Sequence, residues 1–209
     1  MNQQTIHLFV FDTLADWETG FAIAGLNNPA FQAQPGRFRV ATVGISKAPV
    51  VTIGGVTILP DLAINELTPD RSAMLILPGG GGWDQGGNTE ALDLTKRFLA
   101  AGVPVAAICG ATSGLARAGI LDNLRHTSNA REYLAASGYR GAALYQDQPA
   151  VADGNVITAG STAPIEFAYE IFKKLDVYSA ETLEAWFGLF KTGDAAYYSA
   201  MTQHANAEA

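Results

Sequence analysis

The single cysteine of the chain stands where it could act as a nucleophile. Cys109 follows Val103-Pro-Val-Ala-Ala-Ile108 and precedes Gly110-Ala-Thr-Ser-Gly-Leu-Ala-Arg117. The first run is short and apolar, the pattern of a strand buried on both faces of a parallel sheet. The second has the small residues, and the Leu115, of a helix lying against that sheet. A thiol on such a strand-to-helix turn faces the helix N-terminus, where free amides and the macrodipole favour negative charge. This spacing predicts a nucleophile elbow with Cys in place of Ser, and a thiol titrating well below the ~8.5 of free cysteine. The competing reading is an inert cysteine buried as a small hydrophobe.

The other elements are read for what they bring to that turn. Thr5 to Phe11 is a first strand, in which His7 reads as structural. Asp12 to Asp16 is a turn with Asp16 as N-cap, and a helix follows from Trp17 to about Leu26. Glu18 falls in its first turn, at the carboxyl end of strand one; the dipole alone favours an acid there. Ser72 to Leu77 is another buried strand, ending in Pro78-Gly79-Gly80-Gly81-Gly82-Trp83. That loop lets backbone approach a ligand. No Gly-Lys-Ser/Thr follows, so a phosphate loop is not predicted.

Elsewhere the alternation continues. Phe38 to Gly44 is a strand, and Val50 to Leu59 a hairpin turning at Gly54-Gly55. Asp61 to Leu67 reads as short and helical, Thr89 to Ala101 as a helix. Asn123 to Asn129, with His126 inside it, reads as a brief strand and turn, and Ala130 to Ser137 as a helix. Ala150 to Thr158 is a hairpin with Asp153-Gly154 at its turn. Pro164 opens a helix with one apolar stripe through Phe172 and Leu175. A further helix from Ser179 to Phe190 aligns Leu183, Trp186, Phe187 and Phe190, a stripe that must cover this chain or a partner subunit. His204 to Ala209 reads as frayed. Strand–helix alternation implies a mostly parallel sheet with helices on both faces and ligands at the strand carboxyl ends.

Composition narrows the function. The 209 residues carry a net charge of −7, which repels a phosphate backbone and argues against nucleic acid. One cysteine allows no intrachain disulfide, so a reducing cytoplasm is the expected compartment. The N-terminus lacks the basic and apolar regions of a signal peptide. The uncharged span between Arg97 and Arg117 is broken by Gly102, Pro104 and Gly110, so no membrane span is predicted.

Four separated pieces then coincide: Asp16-Trp-Glu18, Leu77-Pro-Gly79-Gly80, Ala107-Ile-Cys109-Gly110, and Asp153-Gly-Asn-Val-Ile-Thr158 before Pro164-Ile-Glu-Phe-Ala168. Together, over about residues 5 to 175, they resemble the PfpI superfamily. It includes the Parkinson-linked deglycase/redox protein, glyoxalase III enzymes and PfpI-type intracellular proteases. The resemblance implies a flavodoxin-like three-layer sandwich over residues 1–177, related to class I glutamine amidotransferase domains. Residues 178–209 would then be a helical extension of the same domain. It implies a homo-oligomer, a dimer in this reading, acting on a small molecule; no cluster in the sequence has ligand spacing, so no metal or organic cofactor is predicted. By matching motifs, Cys109 would be the nucleophile and Glu18 the carboxylic acid beside it. Amides at Gly79, Gly80 and Gly110 would form the oxyanion or substrate pocket. The chain also departs from the family. Proteases of the PfpI type carry His directly after the cysteine, where Gly110 stands here. The histidine that redox and deglycase members place twenty residues on is Asn129 here, with His126 three positions earlier as a candidate site residue.

Overall fold

In the computed structural model, which describes residues 3–207, the expected sandwich is present. β1 (Gln4–Phe9) leads into α1 (Asp16–Asn27), β2 (Phe38–Gly44), the small hairpin β3–β4 (Val50–Val51, Thr57–Ile58) and β5 (Leu62–Ala63). β6 (Met74–Leu77), α2 (Gly81–Asp84), α3 (Thr89–Ala100), β7 (Val105–Ile108), α4 (Gly110–Arg117) and α5 (Arg131–Ala135) follow. β8 (Ala150–Asp153), β9 (Val156–Ala159), α6 (Pro164–Leu175), α7 (Ala180–Thr192) and α8 (Ala195–Ala207) complete the chain. The seven-stranded sheet has the order β5-β2-β1-β6-β7-β9-β8, and β8 alone runs antiparallel to its neighbour.

β6 and β7 sit in the middle with every side chain buried, as a strand covered on both faces must. The chain steps one way along the sheet from β1 to β2 and the other way from β6 to β7. Right-handed crossovers therefore put α1 and α3 on opposite faces. The order reverses between β1 and β6, and α/β sheets open a crevice at that place.

Three local expectations give way to tertiary contacts. Asp16 is not the cap of α1, since Ala15 occupies that position; the Asp16 carboxylate instead accepts the Gly54 N–H, 2.8 Å, and ties the β3–β4 turn to the helix start. Residues 61–67 form β5 and a single 3-10 turn. The tail is helical through Ala207 instead of frayed, with residues 208 and 209 outside the described range.

The Ser179 side chain caps α7 by accepting the Thr182 N–H. The stripe docks within the chain. The Trp186 ring lies 4.9 Å from that of Phe172 on α6 and 6.3 Å from that of Phe21 on α1, and the Phe187 ring packs tilted on Tyr169. Leu183 and Trp186 are each 5% exposed, worth about 1.5–3 kcal/mol apiece in burial. Phe190 remains 45% exposed at the edge. Gly193, left-handed at φ 72°, ends α7 and lets α8 fold back. A Cβ on Gly188 would overlap the Tyr197 ring, so that ring of α8 lies directly on the α7 backbone.

Candidate active site

Three adjacent strands deliver three groups to one point. β1 is followed by α1 and Glu18, β6 by Gly79, and β7 by Cys109. Cys109 has φ 57° and ψ −124°, a conformation that costs a non-glycine residue about 1–3 kcal/mol and persists only where the surroundings enforce it. They do so here. Its N–H donates to Ala159 O, 3.0 Å, and its carbonyl accepts from the Thr112 amide and, at 2.6 Å, the Thr112 hydroxyl. Trp83, fully buried, lies against Gly110 and Gly114 on α4. A Cβ at Gly110 would come within 3.2 Å of both Trp83 and Gly80 O, and one at Gly114 within 2.6 Å of the indole. A side chain following the cysteine would therefore have to displace Trp83 or the Gly80 carbonyl slightly.

Glu18 is completely buried, and its Oε2 accepts the Gly79 N–H at 2.6 Å. A Cβ on Gly79 would lie 2.5 Å from Cys109 Cβ and 2.8 Å from both Cys109 Sγ and Glu18 Oε2. Glycine at 79 is thus what lets sulfur and carboxyl meet. The Gly79 amide, expected to face substrate, is instead spent on Glu18. Gly80 has φ 153°, and a Cβ there would press on Thr13 O, so the loop also needs glycine to pass β1's exit.

Burial pushes the Glu18 carboxyl up from 4.5 to about 7, against the lowering effects of the Gly79 amide and of Cys109. Its Oε1 is buried with no hydrogen-bond partner, which penalises the ionised carboxylate more than the neutral acid. The Cys109 thiol moves the other way from its expectation. Burial first, and then the Glu18 charge, push it up to about 11, while the Asn129 and Gly110 hydrogen bonds pull it down. The helix N-terminus was legible in sequence; the desolvation and the adjacent carboxylate that outweigh it were not. Two acids in contact titrate as a pair. Burial holds the pair's first proton above the ordinary carboxyl range, and the charge left behind helps hold the second above the ordinary thiol range. In between, one proton is shared by sulfur and carboxyl.

Asn129, at the position where the resemblance has a histidine, reaches the thiol. Its Nδ2 donates to Cys109 Sγ at 3.4 Å, and its Oδ1 accepts the Ser161 N–H at 2.9 Å. Because the Ser161 amide can only donate, the oxygen must face Ser161 and the NH2 the sulfur. His126 does not reach the thiol. It is fully buried, Nδ1 paired with Leu124 O at 2.7 Å and Nε2 with Tyr139 Oη at 2.9 Å, its ring edge-on to Tyr139 and Tyr145. Burial, its largest influence, lowers its pKa, so it serves as a neutral strut. His7 is likewise structural, 3% exposed and bonded to the Ser72 hydroxyl.

Two further side chains and a cavity near the site were not singled out by the sequence. Trp17, in the first turn of α1, donates its indole N–H to Ser161 O, 3.2 Å. Tyr133 on α5 donates to Asp84 on α2. A cavity of about 700 Å³ lined by Asn129, Arg131, Ser161, Thr162, Glu166 and Lys191 opens beside Asn129 instead of directly onto the sulfur. Among the described residues, no group of three His, Cys, Asp or Glu side chains could hold a metal ion, and no helix is long and apolar enough to cross a membrane.

Known proteins resemble this chain over most of its length. The Bacillus subtilis protein called Uncharacterized protease YoaZ is 40% identical over 201 residues, 95% of this chain and 96% of its own. Deglycase TK1284 of Thermococcus kodakarensis is 29% identical over 143 residues, 67% of this chain and 84% of its own. The crystal structure of a thiJ/pfpI family protein from Bacillus anthracis superposes with a TM-score of 0.90 at 40% identity, covering 98% and 99% of the two chains. The DJ-1/PfpI family model matches residues 4–174, and the chain belongs to that family.

Proposed function

We propose that this protein is a cysteine-dependent enzyme in which Cys109 adds to an electrophilic carbon of a small carbonyl or amide-type substrate. The observation that carries the reading is the enforced left-handed elbow holding Cys109 against the buried Glu18. As sulfur attacks, the S–H proton passes to the Glu18 carboxylate. The C=O electron pair moves onto oxygen, which then takes that proton, leaving a hemithioacetal and an ionised Glu18. In an amide-type substrate the leaving amine takes the proton instead, and water hydrolyses the thioester. The Gly110 amide, which already bonds the sulfur, and the Gly80 amide are the oxyanion donors in this reading.

A relative named a deglycase is in keeping with small carbonyl substrates. A relative named a protease does not extend peptidase chemistry to this chain, because Gly110 stands where a histidine would follow Cys109. The test is turnover of a panel of small aldehydes, 2-oxoaldehyde adducts and amides by wild type, Cys109→Ser and Glu18→Gln. Turnover by wild type alone is expected. Equal turnover by Cys109→Ser overturns the proposal.

A second reading is favoured by Asn129 standing where a histidine base would be. In it Cys109 senses peroxide: two equivalents oxidise the thiol through sulfenic to sulfinic acid, each reduced to water, and protonated Glu18 bonds the sulfinate. A stable gain of two oxygens on Cys109, with no substrate turned over, would establish this reading instead. The homo-oligomer implied by the family stays part of either reading and is tested by light scattering.

A further inference from the structure

The thiol lies between two segments that are not neighbours in sequence. On one side is the glycine loop after β6, with Gly79, Gly80 and, on α2, Asp84. On the other is the stretch 127–135, with Asn129 and α5. The near end of this stretch is firmly held. Thr127 N–H donates to Thr158 Oγ1, its hydroxyl to Gln148 O, and the Ser128 hydroxyl pairs with that of Thr112 at 2.6 Å. The far end is α5, five residues long, too short to be stable alone. Arg131 ties it outward to Ala142 O. Its link across the site is the Tyr133 hydroxyl, which donates to Asp84 Oδ1 at 2.5 Å.

We infer that Tyr133 is a positioning residue that, by clasping Asp84, holds α5 against the glycine loop and so keeps the Asn129 amide on the Cys109 sulfur. The inference rests on the reading of Cys109 as the nucleophile. The loop end of the clasp is itself fixed. Arg117 on α4 donates to the Trp83 carbonyl, one residue before Asp84, and to the Ser113 hydroxyl. Asp84, Ser113, Arg117 and Tyr133 line one small cavity of about 370 Å³ beside α4. Burial raises the Tyr133 pKa most, followed by the Asp84 bond and by the charges of Asp84 and Cys109. The phenol therefore stays a donor at all ordinary pH and lies within electrostatic reach of the sulfur. Asn129 is fixed at its oxygen by Ser161, so losing the clasp would pull its backbone and break the N–H to sulfur contact first, the longer of the two bonds.

The test is the rate of iodoacetamide alkylation of Cys109 at fixed pH in wild type, Tyr133→Phe, Asn129→Ala, the double variant and Asp84→Asn, with melting temperatures recorded. A hydrogen bond to an ionised group shifts its population about tenfold, so Tyr133→Phe and Asn129→Ala should each slow alkylation about tenfold. The double variant should be no slower than either alone. Asp84→Asn, which keeps an acceptor oxygen, should react like wild type. If Tyr133→Phe does not fold, Asp84→Ala takes its place with the same expectation. A clasp variant as fast as wild type, multiplied losses in the double variant, or a slow Asp84→Asn overturns the inference. If wild-type Cys109 itself neither alkylates nor turns over substrate, the nucleophile reading has failed instead.

Discussion

Replacing Glu18 by Gln should stabilise the protein at alkaline pH, and the size of the effect follows from the site. Burial raises the carboxyl from 4.5 to about 7, so the folded state keeps a proton that the unfolded chain has lost. Below pH 4.5 both states hold it and nothing is lost. Between 4.5 and 7 the folded state binds more protons, and by linkage its stability falls as pH rises. The gap of about 2.5 pH units, at about 1.4 kcal/mol each, makes ionised Glu18 cost about 3 kcal/mol above pH 7. Glutamine keeps an oxygen for the Gly79 N–H and carries no charge, so it escapes that cost. In a domain of this size 1 kcal/mol moves Tm by about 2–4 °C, so Glu18→Gln should melt about 6–12 °C above wild type at pH 8. The two should converge near pH 4.5. His7, whose pKa burial lowers to about 4, also titrates in acid but is common to both proteins and cancels. Calorimetry across pH 4.5 to 8 is the assay. A Tm difference that stays constant across that range refutes the assignment of a raised carboxyl pKa to Glu18.

Other substitutions probe the packing that makes the site. Gly79→Ala should force Cys109 and Glu18 apart, costing about 1–3 kcal/mol and slowing alkylation of the thiol; unchanged melting and labelling would show that the close approach is not needed. Gly110→His should lower Tm by pressing on Trp83 and should give no peptidase activity; a stable variant that cleaves casein would contradict the steric argument. Truncation after Val177 removes α7 and α8 and bares Phe21 and Phe172, so it should lower solubility or Tm. A truncated protein of equal stability, solubility and light-scattering mass would show the segment to be a loose tail.

What could be read in the sequence follows from how each feature is encoded. β6 and β7 are buried on both faces, so Met74–Leu77 and Val105–Ile108 announce themselves as apolar runs. The elbow is equally local, a strand, a cysteine and a glycine. Glu18 is different: an acid in a helix's first turn looks the same whether it serves the dipole or is buried against a thiol. The resemblance, not its own spacing, singled it out. The lowered thiol pKa was an error of the same kind, because desolvation and the charge of a residue 91 positions away are tertiary facts. His126 against Asn129 turned on three residues of a turn, and only the fold shows that Tyr139 and Leu124 had claimed the imidazole. Helix α8 gave little warning since its alanine-rich sequence has no pronounced apolar face.

The central claim is that Cys109 and Glu18 act as a single proton-sharing pair. Its most direct test is the pH dependence of Cys109 alkylation, followed with thiolate ultraviolet absorbance, in wild type and Glu18→Gln. In wild type the rate should rise with a midpoint near pH 7, as the pair loses its first proton, and full thiolate absorbance should wait until about pH 11. In Glu18→Gln the step near 7 should vanish, and the thiol, freed of the carboxylate's charge, should titrate lower than in wild type. A wild-type thiol fully ionised in one step below pH 8, with a profile that Glu18→Gln leaves unchanged, would contradict the account.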